Sequence, residues 1–201
     1  MAPTHSGTAA ELIRTFIAVE LAPDLRAPID DVRESLRSTG ADVKWVESDH
    51  YHITLKFLGD VPAHRIPEVA DAVQKATAGL STFRILFRGT GAFPNLRRPN
   101  AIWVGVTEGA DRLAQLADTV ESALEPLGFQ REGRPFRAHL TIGRVRSPKG
   151  LGPLSTRIAE TRDLLIGHME VTQAVVMKSV LTPKGPIYTK LSAAGLSPQG
   201  G

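Results

Sequence analysis

An α+β fold in two similar halves is what this chain predicts, and three observations carry the expectation. Segments with helical apolar spacing alternate with short β-branched or aromatic segments between Arg14 and Leu191. That order runs through the first half and returns in the second, with no linker between them. A four-residue string, His52-Ile53-Thr54-Leu55, also returns, as His139-Leu140-Thr141-Ile142. The strands read as mostly antiparallel, and interleaved helices make the class α+β.

In chain order, Arg14–Leu21 is rich in β-branched and aromatic residues and is stopped by Pro23, which predicts a strand. Leu25, Ile29, Val32 and Leu36 place one apolar stripe on a helix over Pro23–Ser38, with Gly40 beyond it. Val43–Val46 and His50–Leu58 read as strands, the second closed by Gly59-Asp60. Ile66, Val69, Ala70 and Val73 predict a helix over Ala63–Ala78. Phe83–Arg88 alternates as a half-buried strand does. Gly89–Asn100, with its Gly, Pro, Asn and Arg, predicts the loop that joins the halves. The second half supplies a strand at Ala101–Val106 and a helix over Asp111–Leu127 ended by Gly128. Strands follow at His139–Val145, Met169–Leu181 and Ile187–Leu191. Residues 12–193 are expected to form one domain, between a disordered start at 1–11 and a frayed tail at 194–201.

The chain's 201 residues suit one large domain or two small halves sharing a core. Hydrophobic residues at 42% and charged residues at 22% exclude disordered and fibrous classes. The absence of Cys removes disulfides, thiolate zinc sites, iron–sulfur clusters and thiol nucleophiles. A net charge of +3 suits an anionic substrate but is too small for coating DNA. The start carries no basic cluster followed by an apolar core, and no apolar run approaches the roughly 20 residues that span a bilayer. The expectation is a cytoplasmic monomer without a membrane partner.

No phosphate-loop, nucleophile-elbow, zincin or dinucleotide-binding string is present. The repeated His-x-Thr-x string is therefore the chemical signal. On a strand, alternate side chains share a face, so His52 goes with Thr54 and His139 with Thr141. Two such strands related by a local two-fold axis put two imidazoles and two hydroxyls into one groove. In-line attack on a phosphodiester needs that set. One neutral imidazole takes a proton from the nucleophile and an imidazolium opposite gives one to the leaving oxygen. Thr hydroxyls can donate to the non-bridging phosphoryl oxygens. That chemistry calls for no metal or cofactor.

These strings and their surroundings resemble the 2H phosphoesterase superfamily, in its bacterial RNA 2′,3′-cyclic phosphodiesterase (2′–5′ RNA ligase) branch. RTFIAVEL from Arg14 resembles the family's opening strand, and VKWVESDHYHITLKFLGDV from Val43 its first motif. AIWVGV from Ala101 resembles its middle strand, and RPFRAHLTIGRV from Arg134 its second motif. MKSVLTPKGPIYTKL from Met177 resembles its closing hairpin, through Ser179, Gly185 and Tyr188. Two positions depart from the pattern: His50 stands where Asn is frequent, and Ala138 where Pro is frequent.

The resemblance implies a bilobal fold with a pseudo-two-fold axis, two antiparallel sheets with helices packed outside, and an active site in the central cleft. It implies hydrolysis of 2′,3′-cyclic phosphate ends to 2′-phosphomonoesters, with RNA ends or small cyclic-phosphate nucleotides as partners and 2′–5′ ligation as a weaker reverse activity. It assigns His52 as proton donor and His139 as proton acceptor, and gives Arg144 a contact with phosphate or RNA. By strict alternation Arg144 faces away from His139, so this contact needs a bulge, which Gly143 could permit. Phe16, near the cleft by resemblance, and Tyr188 are candidate substrate contacts. Strand parity adds His50, on the face of His52.

Arg131, Arg134, Arg137, Arg144, Arg146 and Lys149 against Glu132 alone form either a solvated face or a funnel for an RNA end, with Arg97 and Arg98 extending it. Two other functions stay open at this stage. One is a metal hydrolase using His50, His52 and His139, although no acidic residue sits at an evident ligand spacing. The other is a noncatalytic module that binds RNA ends.

Overall fold

The computed structural model describes residues 11–183 and 185–198. Two antiparallel sheets face each other across a cleft, with helices on their outer sides. In chain order the elements are β1 (Leu12–Glu20), α1 (Arg26–Arg37), β2 (Val43–Trp45), β3 (His52–Pro62), α2 (Ile66–Thr77), β4 (Phe83–Phe93) and β5 (Ala101–Val106). They continue with α3 (Ala110–Leu124), β6 (His139–Val145), α4 (Leu151–Glu160), β7 (Leu165–Val171), β8 (Gln173–Thr182) and β9 (Gly185–Gly195). One sheet has the order β3-β1-β8-β9 and the other β2-β6-β5-β4-β7.

The repeat visible in the sequence is β-α-β-α-β, and the two copies exchange strands. β1 and β3 of the first copy pair with each other, but its last strand, β4, crosses to pair with β5. The second copy returns the exchange, because β8 pairs with β1. Neither copy closes its sheet alone, and β3 and β6, which carry the two His-x-Thr-x strings, occupy equivalent places beside β1 and β5.

Each helix buries the stripe that its spacing predicts. Ile29, Val32 and Leu36 of α1, Val69 and Val73 of α2, and Leu113, Leu116, Val120 and Leu124 of α3 are all buried. Burial of such a side chain contributes about 1.5–3 kcal/mol. Single 3-10 turns precede α1 and α2 and follow α3, so those helices are shorter than their apolar patterns.

Several expected boundaries are corrected. The stretch closed by Gly59-Asp60 continues to Pro62, because an extra residue, Leu58, is accommodated as a bulge and pairing resumes at Thr15 and Gly59. The expected loop Gly89–Asn100 begins as strand: β4 runs to Phe93, kinked at Gly89, whose φ is 73°. A Cβ at Gly89 would lie 2.0 Å from the Arg162 carbonyl oxygen, so glycine is required by this contact as well as by its backbone. Met169–Leu181 is two strands, broken at Thr172. The helix α4 and most of β7 have no counterpart in the sequence reading.

The tail expected to fray from Ala194 is in part structured. Ala194 lies in β9 and is 2% exposed, and Leu196 is buried. Ser197 N–H donates to the Leu80 carbonyl and its own carbonyl accepts from Thr82 N–H, both at 2.8 Å. Small residues let the chain end pass close enough to bury Leu196. At the other end, the Glu11 carbonyl accepts from Ala63 N–H at 2.8 Å. The expected disorder at 1–10 and at 199–201 falls outside the described residues. Among those described, no helix is long and apolar enough to cross a membrane.

Candidate active site

Both His-x-Thr-x strands carry a bulge at the same place. Along β3, Thr54 pairs with Ala18 and Lys56 with Ile17, which leaves Leu55 as the extra residue. Along β6, Thr141 pairs with Trp103 and Gly143 with Ile102, which leaves Ile142 as the extra residue. A bulge resets the alternation of faces. His52 and Thr54 therefore share the cleft face with Phe57, which pairs with Phe16, and Lys56 turns into the protein. His139 and Thr141 share it with Arg144, which pairs with Ala101, while Gly143 turns inward. The bulge expected at Gly143 falls one residue earlier and has the required effect.

The two imidazoles are held alike. His52 Nδ1 lies 2.7 Å from the carbonyl oxygen of His50, and His139 Nδ1 lies 2.6 Å from that of Arg137. A carbonyl oxygen only accepts, so each Nδ1 carries its proton, and Nε2 is the nitrogen that exchanges one. Burial pushes both imidazoles below the ordinary value of 6.5, the carbonyl bonds oppose the shift, and the positive charge of Arg144 adds to it. His50 and His139 depress His52 further. Arg144 also acts on Tyr188, whose hydroxyl burial raises. One guanidinium is thus within electrostatic reach of both histidines and of Tyr188.

The surroundings differ between lobes. His52 sits 4.9 Å from the Phe16 ring and edge-on to Tyr188 at 5.3 Å, between centroids. His139 meets the Phe93 ring edge-on at 4.9 Å, and Phe93 leans on Trp103 at 5.3 Å. Beside His52 a pocket of about 600 Å³ opens, lined among others by His50, Tyr188, Met177, Glu20, Arg26 and Lys190. Lys190 bridges Glu20 at 2.5 Å.

The expected residues fall as follows. Thr54 and Thr141 are half-buried on the cleft face beside their histidines. Phe16 is 4% exposed, packed with Ala18 and Val175 and overlain by His52 and Tyr188, so it forms the floor of the groove and offers no face to a base. His50 is not on the strand: it ends a 3-10 turn at Ser48–His50, and its ring reaches the edge of Tyr188 at 5.1 Å. Its backbone carbonyl is the part that holds His52. The basic run disperses. Arg131 turns away to pair with Asp118 and Glu125, Arg137 lies over Phe93, and Arg97 and Arg98 are held through their backbone N–H groups by Asn95 in an exposed turn. Among the described residues, no three His, Cys, Asp or Glu side chains come together as metal ligands.

Sequence reasoning missed Phe93 and the cleft role of Trp103. Phe93 lies inside the glycine-rich stretch expected as a loop, and the signal that could have found it is the aromatic residue just before Pro94. Trp103 shows in strand parity, two residues from Ala101 and from Gly105, which pairs with His139.

The family model described as "LigT like Phosphoesterase" matches the chain twice, at residues 19–103 and 104–188. A protein of Methanothermobacter thermautotrophicus named RNA 2′,3′-cyclic phosphodiesterase is 36% identical over 179 residues, 89% of this chain and 96% of that one. One of the same name from Aeropyrum pernix is 38% identical over 160 residues, 80% of this chain and 90% of that one. Among solved structures, the Thermus thermophilus protein TT0787 matches with a TM-score of 0.78 at 26% identity, covering 94% of this chain and all of that one.

Proposed function

This chain belongs to the LigT-like phosphoesterase family, and from that premise we propose that it hydrolyses 2′,3′-cyclic phosphate ends of RNA, or of small nucleotides, to 2′-phosphomonoesters. The observation that carries the reading is the pair of equivalent imidazoles, each with its Nδ1 proton fixed on a carbonyl two residues back. Two catalytic groups in the same tautomer, on strands related by the internal repeat, suit a displacement in which one proton is taken on one side of phosphorus and one is given on the other. His139 Nε2 accepts the proton of the attacking water. His52, in its protonated form, gives one to the 3′-oxygen as its bond to phosphorus breaks, which leaves the phosphate on the 2′-oxygen. Thr54, Thr141 and Arg144 hold the non-bridging oxygens, where charge grows in the transition state.

Burial favours the neutral form of both imidazoles in the free protein. The anionic substrate supplies the opposing charge, drawing His52 toward its protonated form as it binds. An RNA 5′-hydroxyl in the place of water, with the steps reversed, would give 2′–5′ ligation. The test is product analysis on an oligonucleotide ending in 2′,3′-cyclic phosphate, with and without EDTA. A 2′-phosphate formed equally in both supports the reading. A 3′-phosphate, or activity that EDTA abolishes and a divalent ion restores, contradicts it.

A further inference from the structure

The cleft extends past the histidines along the face of β1, and there the chain carries an aromatic–guanidinium platform that the hydrolytic step does not use. We propose that Phe57 and Arg14 form a second nucleotide subsite, which stacks the base next to the terminal cyclic-phosphate nucleotide and faces the phosphate that joins them. This rests on the phosphodiesterase reading of the same groove.

Phe57 stands at the place in β3 that Arg144 holds in β6, five residues after the histidine and on the same side of the bulge. The bulge at Leu55 carries it to the cleft face, opposite Phe16. It remains 44% exposed, which is unusual for a Phe with a buried core available. Arg14 shares the face of β1 with Phe16 by strand parity, and its guanidinium lies 4.6 Å over the Phe57 ring. That guanidinium makes no hydrogen bond or ion pair with any described residue, so its donors are available to a ligand. Leu12 and Leu181, 60% and 68% exposed, prolong the apolar strip on the same face.

Electrostatics set the order along the groove. Arg144 acts on His52, His139 and Tyr188, whereas Arg14 acts on Tyr188 and on neither histidine. The sequence of groups is therefore histidines with Arg144, then Tyr188, then Arg14 on Phe57. An anion at the first position is the reacting phosphate, and a second anion at Arg14 is the next phosphate of a chain. An exposed ring beneath a free guanidinium is a sequence-tolerant way to hold single-stranded RNA, since every base has a face to stack. A mononucleotide fills only the first position.

The experiment measures equilibrium binding of two product-ended ligands, a nucleoside 2′-phosphate and a trinucleotide with a terminal 2′-phosphate. The protein should bind the trinucleotide on the order of 10- to 100-fold more tightly, with the larger salt dependence. Phe57→Ala should remove most of that advantage, Phe57→Trp should keep it, and Arg14→Ala should lower the salt dependence of trinucleotide binding. Equal affinity for both ligands overturns the subsite. So does a Phe57→Ala change that weakens both ligands alike, or a concentration-dependent dimer that Phe57→Ala dissociates. Because binding is read without turnover, failure of the subsite leaves product formation as a separate test of the phosphodiesterase reading.

Discussion

The strands β3 and β6 have the same backbone and different company. Each places His and Thr on the cleft face, fixes the imidazole through a carbonyl two residues earlier, and bulges at the third residue after the histidine. Past that point they diverge. The fourth position is a buried Lys56 in one and Gly143 in the other, and the fifth is Phe57 in one and Arg144 in the other. The shared part is what an acid–base pair requires, and the difference gives the reaction a direction. With a symmetric pair alone, either histidine could serve as acid. One guanidinium on the β6 side, and an aromatic wall with its pocket on the β3 side, make the two faces of a bound phosphate unequal.

The largest effects come from removing the shared part. His52→Ala and His139→Ala should each lower kcat by about 10²–10⁴, and the double variant should fall little further, because the two act in one step. Losses that multiply in the double variant would mean independent roles. Next comes the residue that breaks the symmetry. Arg144→Ala should cost about 10²–10³ in kcat/KM, the scale of losing one preorganised charge-stabilising donor. Arg144→Lys should recover part of it, as a point charge without the fork.

The fourth position separates stability from catalysis. Lys56 Nζ meets Glu121 at 2.5 Å and the Gln130 carbonyl at 2.7 Å, with the Lys side chain 2% exposed. Lys56→Ala leaves Glu121 buried without its partner and should cost about 3–5 kcal/mol in urea unfolding, while Lys56→Met with Glu121→Leu recovers most of that. In the other lobe a Cβ at Gly143 would lie 2.8 Å from Val43 Cγ1 and 3.0 Å from the Trp45 ring. Gly143→Ala should therefore act by displacing β2 from β6, lowering activity through Arg144 more than it lowers stability.

The smallest effect is a shift in titration. Both imidazoles lie below 6.5 in the free protein, and kcat/KM reports free-protein ionisations. Its bell should therefore peak on the acid side of 6.5. Arg144 disfavours imidazolium, so Arg144→Ala should raise both NMR titration midpoints. An unchanged pair of midpoints would put the guanidinium outside the groove.

Much of this comparison was legible in the sequence because it depends on local periodicity. His52 with Thr54, and His139 with Thr141, follow from the period of two, and Leu113 to Leu124 from the period of 3.6. What was not legible depends on contacts between distant segments. Neither bulge is marked by its own residue, since Leu55 and Ile142 look like ordinary strand residues. Parity consequently placed His50 on a strand that begins two residues later, and placed Arg144 on the wrong face. The exchange of β4 and β8 between halves is a matter of pairing, which no local pattern records. The helix α4 was hidden by Gly152 and Pro153, although Pro is tolerated in a first turn and Leu154 and Ile158 bear the apolar spacing.

The central claim is that His52 gives the proton and His139 takes it. It is tested most directly with a cyclic substrate that has sulfur in place of the bridging 3′-oxygen, because a thiolate leaves without needing a proton as an alkoxide does. On that substrate His52→Ala should regain most of the activity it loses on the ordinary one, and His139→Ala should not. Rescue of His139→Ala with none for His52→Ala would reverse the assignment, and equal behaviour of the two variants would contradict a division of labour between the strands.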